Sequence, residues 1–259
     1  SQPYVQLTID LMKQFDVNVD IAPGYKKFTI KSGQKYTNAK LPDQTYFVEG
    51  DASSASYFLA AAAMTGGDLT VVGCSSSSTQ GDVRFAEVLK DMGARIEMNP
   101  TNITVVGGPA QLKGVDVDCL DIPDAAMTLA SVALVAEGTT TIRNVGSWRV
   151  KETERMKAIV AETSKFGADV TEQPTTCIIK PPTEIKPMCE IETYDDHRIA
   201  MTFALAACAG VPVKILDPGC TSKTFPTYFK ELSRVTLDAD GRKRSSVRRL
   251  LAKLAFWKK

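Results

Sequence analysis

The sequence repeats one order of helix and strand signals three times. Apolar stretches rich in alanine open near Asp51, Asp124 and Asp196, which gives a period of about 72 residues. A strand, a second helix and two more strands follow each of the first two openings, and a strand and a helix follow the third. A period of this length is too long for a solenoid repeat and suits a compact α/β unit. We therefore predict an α/β (α+β) domain of pseudo-threefold, helix-strand-helix-strand-strand units, with the alanine-rich helices packed at its centre.

The repeats divide the chain into three parts. Residues 1–48 predict a helix and two strands, which we interpret as the last piece of a preceding similar domain. Residues 49–236 hold the three repeats, with helices predicted from Trp148 to Gly167 and from Ser222 to Leu232 among them. Residues 237–259 form a basic tail. For the tail we expect either an unstructured extension or a short helix that binds a membrane surface or a partner.

The distribution of charge limits the class of ligand. Eight of the 31 basic residues lie between Arg242 and Lys259, so the rest of the chain has 23 basic and 30 acidic residues and a net charge of −7. The negative net charge of residues 1–241 argues against nucleic acid as the main ligand. If this part of the chain binds anions, it must do so through a few converging cations and not through its net charge. No apolar run reaches the roughly 20 residues that span a bilayer, so no membrane segment is expected.

The six cysteines indicate a reducing compartment. None belongs to a C-x-x-C pair and several lie within apolar stretches, so neither disulfides nor a zinc site is predicted. The chain begins at Ser1, without Met, signal peptide or transit peptide, and we interpret it as a fragment of a longer protein.

The stretch SWRVKETER, residues 147–155, carries the densest charge pattern of the chain. If it is helical from Trp148 onward, Lys151 and Arg155 lie one turn apart on one face, with Glu152 at its edge. Two cations and a carboxylate at a helix opening would bind an anion and exchange a proton with it. The same charges also fit a solvated surface helix with salt bridges. The stretch by itself leaves both interpretations open.

Charged residues also stand at other helix openings. Asp124 follows Pro123 in the first turn of its helix, His197 and Arg198 open the third alanine-rich helix, and Lys223 lies at the opening of TSKTFP. Helix N-termini present unpaired N–H groups and a partial positive charge. If threefold packing points these ends the same way, they form a wall that binds phosphate or carboxylate. We expect the helix dipole to lower the pKa of Asp124.

Six stretches together resemble one known family. They are EGDASSASYFLAAAA, QGDVRFAEVLKDMGA, IPDAAMTLA, SWRVKETERM, YDDHRIAM and DPGCTSKTFPTYF. In this order they resemble the 5-enolpyruvylshikimate-3-phosphate (EPSP) synthases, the shikimate-pathway enzymes that glyphosate inhibits. The resemblance runs from Ser1 to about Thr236 and is strongest to plant and algal members. The related UDP-N-acetylglucosamine enolpyruvyl transferases are much less similar.

The resemblance implies a fold and a reaction. The fold is the inside-out α/β barrel of enolpyruvyl transferases, in two domains of three units that close on substrate. The reaction moves the enolpyruvyl group of phosphoenolpyruvate to the 5-hydroxyl of shikimate 3-phosphate and releases phosphate, with no metal or organic cofactor. The whole protein is expected to be a monomer, located in the plastid if it is of plant or algal type and otherwise in the cytoplasm. This chain would hold the second domain and be inactive alone; the alternative is a noncatalytic half that binds phosphorylated anions.

The resemblance also implies substrate ligands. Arg155, Arg198 and Lys223 match the family's phosphoenolpyruvate ligands, as suits side chains that meet a carboxylate and a phosphate. The positions that match contacts to shikimate 3-phosphate are Lys151, Ser147, Ser1 and Tyr4.

Four residues are implied in catalysis. Asp124 matches the residue that takes the 5-hydroxyl proton, and we expect desolvation on closure to strengthen it as a base. Glu152 is expected to exchange the proton of the methylene carbon, with Lys223 assisting it. His197, the only histidine, is expected to orient Glu152 or the leaving phosphate, although a lone histidine is also commonly structural.

Overall fold

The computed structural model of the protein describes residues 2–108 and 111–236. Within these ranges the chain forms seven α-helices and eleven β-strands. The helices are α1 (Gln2–Gln14), α2 (Ala52–Thr65), α3 (Phe85–Asp91), α4 (Leu129–Val135), α5 (Arg155–Lys165), α6 (His197–Ala204) and α7 (Tyr228–Val235). The strands are β1 (Val19–Ile21), β2 (Phe28–Ile30), β3 (Leu69–Val72), β4 (Arg95–Met98), β5 (Asn102–Val106), β6 (Asp116–Asp118), β7 (Thr140–Arg143), β8 (Asp169–Glu172), β9 (Cys177–Lys180), β10 (Cys189–Ile191) and β11 (Val213–Ile215).

The sheets show the predicted repetition. In the first repeat the strand order is β3-β5-β4, and in the second the order β7-β9-β8 recurs with antiparallel pairing throughout. Corresponding registers place Leu69 opposite Val105 and Thr140 opposite Ile179. The second and third repeats share a further feature, because β6 pairs in parallel with β7 and β10 pairs in parallel with β11. The pseudo-threefold α/β prediction is therefore confirmed.

Of the three alanine-rich helices, α4 contacts both α2 and α6 at the centre of the repeats, and α6 meets α2 where Arg198 Nη1 donates to the Tyr57 hydroxyl at 3.5 Å. Ala60, Ala130 and Ala200 are fully buried there, and their small side chains allow the helices to approach closely. A hydrogen bond joins the second and third repeats within this core: Ser131 Oγ donates to the carbonyl of Thr202 at 2.6 Å. None of the helices in the described ranges combines the length and apolar character that crossing a membrane requires.

Two sequence predictions of helices were wrong. The predicted helix from Trp148 is a 3-10 turn (Gly146–Val150), an extended residue at Lys151, and an α-helix that begins only at Arg155. The predicted helix from Ser222 is a 3-10 turn (Pro218–Lys223) followed by α7, which begins at Tyr228. Pro226 stands between these two elements and restricts the residue before it to extended conformations.

Residues 2–48 pack separately from the main core. They form α1 and the antiparallel β1–β2 pair, as predicted. Among the described residues of this segment only Ile9 and Val17 are buried, and neither belongs to the apolar cluster, which extends from residue 52 to residue 232. Phe28 and Ile30 of β2 are exposed. The segment therefore contributes little to the core of the three repeats.

Candidate active site

Arg155 lies at the centre of a cluster of charged side chains. Its side chain is 1% exposed, and its guanidinium contacts three carboxylates. Nη1 donates to Asp124 Oδ1 at 2.9 Å, Nη2 to Glu152 Oε2 at 2.6 Å, and Nε to Asp196 Oδ2 at 2.7 Å. The planar fork of arginine suits this role, because its donors can face separate acceptors at once. Arg155 thus joins three of the segments that carry predicted site residues, those of Asp124, Glu152 and the start of α6.

Asp124 is surrounded by cations. Besides Arg155, Arg198 Nη2 lies 3.0 Å from its Oδ2 and Lys151 Nζ lies 3.5 Å from its Oδ1. Burial would raise the pKa of the Asp124 carboxyl, but Arg198, Arg155 and Lys151 together hold it below its usual value. The predicted direction of this pKa shift agrees with the structure, and the causes that the structure shows are the neighbouring cations. Asp124 precedes a 3-10 turn (Ala125–Thr128) and makes no capping hydrogen bond, and the expected contribution of a helix dipole stays a prediction.

Glu152 is a second carboxylate of the cluster and lies between Lys223 and Arg155. Its Oε1 accepts a hydrogen bond from Lys223 Nζ at 2.8 Å while Oε2 faces Arg155. Burial opposes ionisation of Glu152, but hydrogen bonds from Lys223 and the backbone, with the charge of Arg155, lower its pKa to about 2. A cavity of about 480 Å³ opens beside this pair. It is lined by Glu152, Asp195, Asp217, Gly219, Cys220, Ser222 and Lys223.

The segment between Ser147 and Arg155 reaches the cluster without being a helix. The indole of Trp148 is fully buried and donates to the carbonyl of Pro123 at 2.6 Å, which fixes the turn beside Asp124. Glu154 then caps α5 by accepting from the backbone N–H of Lys157 at 2.6 Å. The prediction that Lys151 and Arg155 share one face of a helix was therefore wrong. They reach Asp124 from an extended residue and from the start of a helix.

The start of α6 supplies Asp196, His197 and Arg198. Asp196 is fully buried and caps the helix by accepting from the Arg198 N–H at 2.9 Å. Burial, followed by the charge of Arg198, lowers the pKa of His197. Neither ring nitrogen of His197 has a hydrogen-bond partner in the part of the chain that the structure describes. The proposed action of His197 on Glu152 or a leaving phosphate stays a prediction.

Tyr4 reaches the same cluster from the N-terminal segment. Its ring centroid lies 5.2 Å from Lys151 Nζ, and its hydroxyl donates to Asp82 Oδ2 at 3.1 Å. Asp82 also accepts hydrogen bonds from Ser53 Oγ and from the N–H of Ala125, the neighbour of Asp124. Burial is the main cause that raises the pKa of Asp82.

The structure brings together most of the predicted site residues. Direct contacts link Tyr4, Asp124, Lys151, Glu152, Arg155, Arg198 and Lys223. Ser147 lies half-buried in the 3-10 turn before Lys151, without a hydrogen bond from its side chain to the cluster. Ser1 and the basic tail lie outside the described residues. Asp82 and Asp196 were not predicted as site residues, although both stand in the stretches QGDVRF and YDDHRIAM that carried the resemblance.

This arrangement is suited to binding anions and moving protons. Four cationic side chains converge on carboxylates with which an anionic ligand can compete: Lys151, Arg155, Arg198 and Lys223. Asp124 is ionised at neutral pH and can accept a proton, and the Lys223–Glu152 pair holds a proton that it can give.

Comparisons with known proteins identify one family over nearly the whole described chain. The family model "EPSP synthase (3-phosphoshikimate 1-carboxyvinyltransferase)" matches residues 1–232. The chain is 55% identical over 242 residues to the chloroplastic 3-phosphoshikimate 1-carboxyvinyltransferase of Brassica napus, covering 91% of this chain and 46% of that protein. It is 50% identical over 236 residues to an Escherichia coli protein of the same name, covering 91% of this chain and 53% of that one. The chain thus spans about half the length of these relatives.

Solved structures show the same fold at low sequence identity. EPSP synthase from Acinetobacter baumannii superposes with a TM-score of 0.64 at 23% identity, covering 88% of this chain and 53% of that chain. The enolpyruvyl transferase NikO from Streptomyces tendae superposes with a TM-score of 0.60 at 16% identity, covering 89% and 52%. The matching fold and the match of the family model to residues 1–232 show that the chain belongs to the EPSP synthase family.

Proposed function

We propose that the whole protein containing this chain transfers the enolpyruvyl group of phosphoenolpyruvate to the 5-hydroxyl of shikimate 3-phosphate and releases phosphate. The observation that carries the proposal is the buried Arg155, which holds Asp124, Glu152 and Asp196 in one cluster. Membership of the family supports it, as do the names of the Brassica and Escherichia relatives. We further propose that the protein acts as a monomer without a cofactor, in the plastid as the plant relatives' names indicate or in the cytoplasm if it is of bacterial type.

Both substrates are polyanions, and the site offers cations for each. Phosphoenolpyruvate would meet Arg155, Arg198 and Lys223, which form ion pairs with the Asp124 and Glu152 carboxylates. Shikimate 3-phosphate would meet Lys151 and the ring of Tyr4, which face each other, together with Ser147 and Ser1. A bound anion would replace carboxylates as the partner of these cations. The pKa of Asp124 would rise as a result, because the cations that lower it would be neutralised.

The proton transfers follow from these contacts. As the 5-hydroxyl oxygen bonds to C2 of phosphoenolpyruvate, Asp124 takes the hydroxyl proton and the methylene carbon gains one, giving a tetrahedral adduct. In the Lys223–Glu152 ion pair the ammonium carries the available proton, since Glu152 has a pKa of about 2. Lys223 therefore gives the proton and Glu152 supports it, which reverses the order of importance expected from the sequence. The bond between C2 and the phosphate oxygen then breaks, a methyl proton returns to Lys223, and the proton held by Asp124 leaves with the phosphate. Both residues thereby regain their starting protonation states.

The Asp124→Asn variant of the whole protein tests this proposal. We expect turnover, measured as phosphate release with both substrates, to fall by about 10²- to 10⁴-fold, because the amide cannot take the hydroxyl proton. The KM values should change much less, since the amide keeps the shape of the side chain. The matched control is Asp116→Asn, which removes an exposed carboxylate paired with Arg143 and should leave turnover unchanged. Near-normal turnover by Asp124→Asn would contradict the role of Asp124 as base.

The alternative is a noncatalytic half that binds phosphorylated anions. The converging cations of residues 151–223 favour some affinity for anions in the chain alone. We expect the 259-residue chain to show no turnover alone and to gain it when the rest of the protein is present. Calorimetric binding of phosphoenolpyruvate by the chain, combined with no phosphate release from the whole protein, would support the alternative.

A further inference from the structure

Glu162 is a fully buried carboxylate on α5, two turns after Arg155. Its Oε1 accepts a hydrogen bond from the Tyr194 hydroxyl at 2.9 Å. Its Oε2 accepts from the backbone N–H of Glu192 at 3.1 Å and from Lys165 Nζ at 2.6 Å. A buried carboxylate is costly unless hydrogen-bonded, so this one depends on its three donors. Two of those donors belong to the loop before α6.

The loop of residues 192–196 has a strained backbone. Tyr194 has a φ of 55° and Asp195 a φ of 56°, so two consecutive residues that are not glycine adopt the left-handed conformation. Such conformations persist only where surrounding contacts determine them. Glu162 supplies contacts at both Glu192 and Tyr194. Burial, followed by the hydrogen bond to Glu162, raises the pKa of Tyr194 to about 12, so the phenol stays protonated and donates.

The strained loop ends at the residues that complete the proposed site. Asp196 follows it and accepts from Arg155 Nε at 2.7 Å, and Arg198 lies 3.0 Å from Asp124. Helix α5 therefore holds this part of the chain at two points, through Arg155 at its start and through Glu162 in its interior. A shift of the loop would move Asp196 and Arg198 together.

We infer that Glu162 is a positioning residue, which fixes the loop of residues 192–196 so that Asp196 and Arg198 meet Arg155 and Asp124. The inference rests on the proposed function for its kinetic consequences. Glutamine at this position keeps the shape of the side chain but has a single acceptor oxygen. Its NH₂ group would replace the other oxygen and cannot accept a hydrogen bond from the groups that now donate to Glu162. The loop should then lose part of its support, and the ligands of phosphoenolpyruvate should be displaced more than those of shikimate 3-phosphate.

The kinetic test compares Glu162→Gln and Tyr194→Phe in the whole protein. We expect Glu162→Gln to lower kcat/KM for phosphoenolpyruvate by about 10- to 100-fold, since a small misplacement of binding groups has effects of this size. The KM for shikimate 3-phosphate should stay within about twofold, because Lys151 and Tyr4 do not depend on the loop. Tyr194→Phe should have a smaller effect in the same direction. The double variant should be no worse than Glu162→Gln, because both changes act on the same hydrogen bond, the one from the Tyr194 hydroxyl to Glu162.

Ile103→Val in β5 is the control for general destabilisation, as it shortens a fully buried side chain in the first repeat's sheet. A merely structural role for Glu162 would lower kcat by loss of folded protein and leave both KM values unchanged, as in this control. That result would overturn the inference, and so would a Tyr194→Phe variant with wild-type kinetics.

Hydrogen exchange tests the inference independently of activity. In Glu162→Gln the backbone amides of Glu192 and Arg198 should exchange at least about tenfold faster than in the wild type, while amides of β5 should not change. Unchanged exchange at Glu192 would overturn the positioning role. If the wild-type protein showed no transferase activity, the proposed function would fail, and the exchange rates would still decide the role of Glu162.

Discussion

Three acidic residues occupy the same place in the three repeats, and each has a different role. Asp51 caps α2 by accepting from the N–H groups of Ser53 and Ser54, at 3.1 Å and 3.2 Å. Asp196 caps α6 and also binds Arg155. Asp124 gives up the capping role, and its carboxylate faces cations instead. The proposed chemistry thus occurs where one repeat departs from a role that the other two keep.

Arg155 should be the most important residue of the cluster for stability. Replacing it with methionine would leave the fully buried Asp196 without its cationic partner, and breaking a buried pair in this way costs about 3–5 kcal/mol. Arg155→Lys should recover only part of the loss, because an ammonium group cannot face three carboxylates as a planar fork does. The free energy of unfolding in urea measures both effects.

The control for Arg155 is Arg143, whose partner Asp116 is exposed. Arg143→Met should change the free energy of unfolding by no more than about 1 kcal/mol, as is usual for surface ion pairs. Combining Arg155→Met with Asp196→Asn should restore part of the lost stability, because the uncompensated charge is then gone. Equal effects of Arg155→Met and Arg143→Met would contradict the central role of Arg155.

At the level of elements, hydrophobic periodicity predicted the repeat but not its local breaks. The alanine-rich helices and the paired strands of the first two repeats were predicted correctly, because each has a clear period. Strands β6 and β10 were missed, since each is stabilised by parallel pairing with a strand that comes later in the chain, β7 or β11, and such a contact is not visible in a local pattern. The helix predicted from Trp148 failed because a tertiary contact, the indole bond to Pro123, fixes that segment as a turn. Partners such as Asp82 and Glu162 were missed for the same reason, as their roles depend on contacts distant in sequence.

The packing of α2, α4 and α6 predicts a strong dependence on side-chain size. Ala130 of α4 is fully buried between the central helices, and Ala130→Leu should destabilise the protein by about 1–3 kcal/mol through overpacking. The same change at the exposed Ala161 of α5 is a matched control and should alter the free energy of unfolding by no more than about 0.5 kcal/mol. Urea unfolding of both variants measures these two changes in the free energy of unfolding. If Ala130→Leu behaved like Ala161→Leu, the central helices would not be closely packed.

On the scale of the whole molecule, the chain combines a complete core with one side of a proposed site. The apolar cluster extends through all three repeats, and residues 2–48 add little to it. The cations of residues 151–223 converge on one region, which Tyr4 reaches from the N-terminal segment. We propose that residues 1–48 belong to a preceding domain and residues 49–236 form a domain of their own. Binding of two polyanionic substrates would then depend on groups from both domains.

The proposed boundary predicts that residues 49–259 fold without the N-terminal segment. Their core keeps all of its buried apolar residues, whereas the loss of Tyr4 removes one hydrogen bond to Asp82 and one contact with Lys151. We expect a cooperative urea transition with a free energy of unfolding within about 3 kcal/mol of the full chain, because a hydrogen bond to a charged group is worth about 1.5–3 kcal/mol. A second truncation to residues 75–259 also removes α2, whose buried alanines belong to the central packing, and should not unfold cooperatively. If both truncated chains lost the cooperative transition, residues 1–48 would be part of the same folding unit, and the boundary near residue 48 would be wrong.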